Sequence, residues 1–237
     1  MEEGKWLENQ LSLLDSAFAS VNLGEEIVKE AVMYSFDVPV SKHFTPHVIR
    51  VMTERVRKVM ILHPEFRNLS CSAQHQLFER NSIFGVALYG AKIESFKNGS
   101  DLHYFMMGSQ DVEWHRANYE AFFSDRTMKK LNMSITNQFS GILSKKDLDE
   151  YQRLNSEIED VVKSDVAFKL CLLILVFSSG AFPEVQNLAR AYANAVRRQL
   201  NNKSGNAALG DVIYCSLLKS VDNIQKLSEI FKRFLVI

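Results

Sequence analysis

Pro64–Phe96 reads PEFRNLSCSAQHQLFERNSIFGVALYGAKIESF, and its reading decides the fold. It opens as a turn and a short amphipathic piece, and Pro64 stops whatever helix precedes it. Residues 74–96 then form a helix with apolar side chains on every face, among them Phe84, Val86, Leu88, Tyr89 and Ile93. A helix of that kind is buried on all sides, so other helices must surround it. Lys92 and Glu94 also lie on it. Buried charges need partners, so the pair is read as held at the helix's edge rather than as catalytic.

Helical periodicity continues outward in both directions. Upstream, Trp6, Leu7, Leu11, Leu14, Phe18 and Val21 make one stripe, and residues 26–35 give a short helix or a connection. Pro39 and Pro46 bracket an extended piece, with Thr45 placed to cap a helix that runs to about His63. Downstream, Lys97–Ser100 is a turn by composition. Leu102, Tyr104 and Met106 then alternate with His103, Phe105 and Met107, the pattern of a short β-hairpin. Helices are predicted at 112–123, 124–142, 147–161 and 162–178, with Asp147 as an N-cap and Ser179-Gly180 as a stop. Glu184–Asn201 is amphipathic, Asn202–Asn206 reads as a loop, and the last helix starts near Ala207.

Composition bounds the function. The 237 residues suffice for one domain spanning 1–237 with a proper core. Basic and acidic residues balance at 28 each, with no basic tract, which argues against this segment holding nucleic acid by itself. Cys71, Cys171 and Cys215 are far apart and give neither zinc spacing nor a disulfide framework, as in a reducing compartment. Glu2, Glu3, Lys5 and Glu8 leave no apolar core for a secretory signal. The apolar run Val166–Phe177, interrupted by Lys169, falls short of the ~20 residues that span a bilayer. His43 and His47 are four apart, but Pro46 lies between them and no acidic residue completes a metal set. With no phosphate loop or nucleophile elbow, neither enzyme activity, metal nor cofactor is expected. Sixteen Phe and eight Met suit an adaptable apolar cavity, or a core that they simply fill.

Phe66, Leu69 and Gln74, in that spacing ahead of the buried helix, resemble the signature of the nuclear receptor ligand-binding domain. The likeness extends along the chain. Asp165–Gly180 is similar to the family's eighth helix, Val185–Leu200 to its ninth, and Ile213–Leu235 to its tenth and eleventh. The resemblance implies an all-α fold: a three-layer antiparallel helical sandwich of about 10–12 helices with one small β-hairpin. It implies a regulatory domain of a transcription factor in the nucleus, binding a lipophilic ligand and coactivator or corepressor peptides. The zinc-finger module of a full-length receptor is not in this chain, so DNA is expected only through that module.

Positions matching the family's pocket are Met52, Val56, Val59, Met60, Phe84, Leu88, Tyr89, Tyr104, Met106, Met133 and Leu227. Many relatives anchor a ligand acid with an Arg where this chain has Tyr89. A phenol bonds a hydroxyl or ketone but neutralises no carboxylate, so the ligand expected is neutral and steroid-like. The coregulator groove maps to Val56, Arg57, Ile61, Gln74, Leu77, Phe78 and Glu79. Ile61 replaces the Lys that caps the C-terminus of a docked peptide helix, and Glu79 reverses a second basic position, with Arg80 next to it. Leu227–Phe231 has the apolar-x-Glu-apolar-apolar form of the activation helix, yet the unbroken period favours one helix from Ala207 to Ile237. These departures lean towards a repressor-type or ligand-independent receptor. The alternative is a ligand-independent dimerisation and interaction scaffold with a side-chain-filled pocket. Leu209, Val212, Ile213, Leu217 and Leu218 form the stripe expected to join a homodimer, or a heterodimer with a retinoid X receptor-type partner.

Overall fold

The computed structural model describes residues 2–21, 40–95, 143–178 and 182–234. They form an all-α fold: α1 (Glu2–Ser20), α2 (Val40–Leu62), α3 (Pro64–Arg67), α4 (Cys71–Ser95), α5 (Lys145–Glu157), α6 (Glu159–Lys163), α7 (Asp165–Val176), α8 (Pro183–Ser204) and α9 (Ala207–Phe234). The expected hairpin at 102–107 and the helices expected at 26–35 and 112–142 lie outside the described residues.

α4 is the central helix, packed against α2, α6, α7 and α9. It starts at Cys71, three residues before the expected point, because Ser70 caps it. Ser70 Oγ accepts from the Ala73 amide at 3.3 Å and donates to Glu184 of α8 at 3.0 Å. Residues Val86–Tyr89 are all buried, as a helix apolar on every face requires. Asn81, also buried, donates its amide to the carbonyls of Val176 (3.2 Å) and Ser178 (2.7 Å). That satisfies carbonyls that α7 leaves open at its C-terminus.

Several boundaries correct the sequence reading. α2 begins at Val40 and runs through Thr45 and Pro46, so no extended piece precedes Pro46 and Thr45 is not a cap. Pro46 is the seventh residue of this helix, beyond the first turn, and so gives no amide to the carbonyl of residue 42. His63 is extended (φ −76°, ψ 121°), and Pro64 opens the one-turn α3. The residue before a proline is driven out of the helical region, which ends α2 where expected. The cap of α5 is Ser144 rather than Asp147: its Oγ accepts from the Asp147 amide at 3.1 Å and donates to that carboxylate at 2.8 Å. The cap thus lies about one turn ahead of the predicted one. The two helices expected over 147–178 are three, divided at Ile158 and Ser164. The predicted loop at 202–206 is helical to Ser204. Gly205, at φ 63°, ends α8 in the left-handed region, where an L side chain is strained.

Candidate functional site

The described pocket candidates lie on α2, α4 and α9, and α4 packs against both of the other two. Met52, Val56, Val59, Met60, Phe84, Leu88, Tyr89 and Leu227 are all buried. Tyr104, Met106 and Met133 lie outside the described residues. Two glycines bring the helices together. A Cβ on Gly85 would overlap Val56 Cγ2, and one on Gly90 would stand 2.9 Å from Phe231 Cζ. At these two points helix backbone meets side chain directly, which only glycine allows.

Polar groups enter this core from two helices. The Tyr89 ring contacts Phe18 and Phe168 edge-on, each at 5.4 Å between centroids. Burial holds its phenol well above the usual range, with the Arg55 charge opposing. Arg55 is fully buried; its Nε donates to the Val21 carbonyl at 2.8 Å, and its guanidinium lies 5.7 Å from the centre of the Phe18 ring. Desolvation lowers its pKa and Tyr89 opposes that shift. The sequence reading placed no cation beside Tyr89, because Arg55, between the pocket residues Met52 and Val56 along α2, resembles any surface arginine. The fold turns it inward. Lys92 differs from expectation in the same way: it is buried, not at the helix's edge, donating to the Val162 carbonyl and lying 5.5 Å from the centre of the Phe168 ring.

The groove candidates divide into floor and rim. Val56 and Leu77 are fully buried, which removes them from any peptide-contacting surface. Ile61 is 42% exposed, an apolar side chain open to water on the last turn of α2. Phe78 is half-buried, and Arg57 stands exposed one turn before Ile61, 3.8 Å from Glu54. Glu79 is exposed and 3.4 Å from His75 on its own helix. Gln74 is half-buried and donates to the carbonyls of Arg67 (3.2 Å) and Leu69 (2.9 Å). Phe66 is buried and Leu69 packs against the core. The three signature residues therefore fasten one turn to the start of the central helix.

Leu209, Val212 and Ile213 on α9 are 51%, 66% and 41% exposed, and Leu218 is exposed beside them. Leu217 is 4% exposed and belongs to the core, which corrects its assignment to the dimer face. The helical period puts it across the helix from Val212. Leu227–Phe231 is an integral part of α9, with Leu227, Ile230 and Phe231 buried and Glu229 in water.

A second cluster, absent from the sequence reading, joins α1 to the α2–α3 turn and α8. Trp6 donates from Nε1 to Glu65 at 2.9 Å, and the Tyr192 hydroxyl donates to Gln10 Oε1 at 3.1 Å. Tyr192 stacks on Phe177 at 4.6 Å with 4° between the planes, and His63 lies 5.2 Å from Phe177. The buried His63 donates from Nδ1 to the Val59 carbonyl. Burial lowers its pKa from the usual 6.5, against that bond and the Glu65 charge. Trp6, Gln10, His63, Glu65, Phe177 and Tyr192 come from three separate parts of the chain, so spacing gave no signal for the cluster.

Among the described residues no three His, Cys, Asp or Glu side chains group as metal ligands, and no helix is long and apolar enough to cross a membrane. Comparison of the chain with protein-family models gives no match, and neither does comparison with the curated proteins.

Proposed function

We propose that this chain is a regulatory domain of the nuclear receptor ligand-binding type, acting in transcription control in the nucleus. Its finer architecture is then the three-layer antiparallel sandwich with a small hairpin. The observation that carries the reading is the shared work of Phe66, Leu69 and Gln74. Phe66 is buried, Leu69 packs on the core, and the Gln74 amide ties both ends of the turn together. A neutral lipophilic ligand would lie against α2, α4 and α9, with the Tyr89 phenol as its hydrogen-bonding partner. A helical coregulator peptide would dock beside Ile61 and Phe78. With no Lys at position 61, Arg57 is the nearby cation for the peptide's C-terminal carbonyls, which favours a repressor-type partner. The exposed stripe of α9 is the dimer face, for a second copy or a retinoid X receptor-type partner, and DNA is reached through a separate zinc-finger domain.

Native mass spectrometry of the protein as purified tests the ligand. A retained lipid-sized adduct supports a liganded receptor, and a bare mass removes that part. A second reading is a ligand-independent scaffold. It is favoured by the direct contacts of Gly85 with Val56 and of Gly90 with Phe231, where side chains occupy the space between helices. A bare mass together with selective binding of helical peptides would establish it.

A further inference from the structure

We propose that the cluster beneath the first half of α1 is an acid-released latch: protonation of His63 lifts residues 6–10 off α3 and α8, while the second half of α1 stays docked. The device needs neither a ligand nor a second copy of the chain, and so stands apart from the receptor reading.

His63 follows the last turn of α2 and precedes the one-turn α3, and its side chain is fully buried. Nδ1 donates to the Val59 carbonyl, an atom that only accepts. The neutral ring therefore carries its proton there and a lone pair at Nε2. Nε2 is buried, and among the described residues it has no hydrogen-bond partner. The ring centre lies 5.2 Å from that of Phe177, at the end of α7, and 6.3 Å from that of Tyr192 on α8. Glu65 of α3 and the Tyr192 phenol are the titratable groups that these elements turn towards the cluster. α1 brings Trp6 and Gln10, which do not titrate, and its Lys5 and Glu8 are exposed.

α1 is held unequally along its length. At its start the polar ties are Trp6 Nε1 to Glu65 at 2.9 Å and the Tyr192 hydroxyl to Gln10 at 3.1 Å, and both belong to the cluster. Towards its end Lys169 pairs with Asp15 at 2.7 Å, and Arg55 donates to the Val21 carbonyl at 2.8 Å. Neither of these runs through the cluster. Leu14 and Ala17, fully buried, add apolar hold to that second half. Helix ends open locally without the rest of a fold, so the start of α1 is the part free to lift.

An added proton goes to Nε2 and places a charge among aromatic rings, away from water. Burial outweighs the Val59 carbonyl, the Glu65 charge and the Gln10 carbonyl, so the docked ring takes up a proton less readily than a ring in water does, near 6.5. The lifted form is therefore protonated first as pH falls below about 6.5. Lifting becomes up to about tenfold more favourable per pH unit, until the docked ring also titrates. Water then accepts from Nε2.

Hydrogen exchange of the whole chain reads the latch segment by segment, as protection factors, from which the pH dependence of amide chemistry drops out. Between about pH 6.5 and 5.5, protection over residues 6–10 is expected to fall by up to about tenfold, while residues 14–20 and α4 keep theirs. His63→Gln can still donate to Val59 and takes no proton, so its protection over residues 6–10 is expected to be the same at both pH values. No fall in the wild type, an equal fall in the variant, or a fall shared by α4 would overturn the latch. The wild type carries a second readout that needs no variant. In NMR the His63 ring and the Leu7 methyls are expected to titrate with one midpoint below about 6.5. Different midpoints, or Leu7 methyls that stay still while the ring titrates, would overturn it equally.

Discussion

His63 is a neutral ring held among aromatics, and that state has a pH consequence. Burial lowers its folded pKa, while the unfolded chain titrates near the usual 6.5. Below that value the unfolded chain binds the extra proton first. The contribution of His63 is therefore complete above about pH 6.5 and is lost as pH falls towards the folded value, with a slope of at most about 1.4 kcal/mol per pH unit. Urea midpoints between about pH 7.5 and 5 should drop in the wild type and drop less in His63→Gln. Equal slopes would show that His63 titrates alike in both states. Gly85 carries a different prediction. Gly85→Ala should cost about 1–3 kcal/mol, because the buried, β-branched Val56 is stiff and has no room to turn aside. Val56→Ala should recover part of that loss in the double variant, and a simple sum of the two losses would refute the contact.

Helix packing here is set by short approaches as much as by apolar stripes. α8 and α9 form an antiparallel pair joined at Gly205 and Asn206, with Arg197 and Asn201 reaching Asp211 across it. Gly210 makes the closeness possible: a Cβ there would stand 2.5 Å from Asn201 Cα and 2.7 Å from Asn201 N. Backbone cannot rotate away as a side chain can. Gly210→Ala should therefore separate the two helices and lower the thermal midpoint by several degrees, about 2 kcal/mol or more. Removing the cap of α5 by Ser144→Ala is a smaller change of about 1 kcal/mol, confined to one helix end. The contrast is measurable by hydrogen exchange. The cap variant should lose protection only in the first turn of α5, and the glycine variant along both α8 and α9.

For the molecule as a whole, the exposed part of α9 is where folding leaves the most apolar surface unspent. Leu209, Val212 and Ile213 lie within about 100° of one another around one helix, a patch of the kind that marks association, and Leu218 is exposed apart from them. Val212→Arg should leave the fold intact, since the residue is the most exposed of the four, and should shift the protein to monomer mass in solution. Leu217→Arg is the wrong test: it would bury an unpaired charge in the core and unfold the chain before reporting on any interface. An unchanged dimer mass in Val212→Arg would move the interface elsewhere.

The sequence by itself determined the class of the fold, the burial of α4, the stop at Pro64 and the amphipathic faces of α1 and α8. Each follows from local periodicity or from a residue with fixed backbone chemistry, and neither depends on distant neighbours. The resemblance gave Met52, Val56, Val59, Met60, Leu88 and Leu227 as pocket positions, and what the structure adds is that all six are buried. Only the tertiary structure decided which side of α9 faces water, and so separated Leu217 from Leu218: adjacent residues differ by about 100° around a helix, and apolarity alone does not orient it. Only it brought Arg55 beside Tyr89 and turned Lys92 inward, since a basic residue reads as surface until packing supplies the carbonyls and rings that receive it. The cluster of Trp6, Gln10, His63, Glu65 and Tyr192 was likewise invisible in the chain. Its Trp6–Glu65 and Gln10–Tyr192 hydrogen bonds join residues 59 and 182 positions apart, separations over which spacing carries no signal.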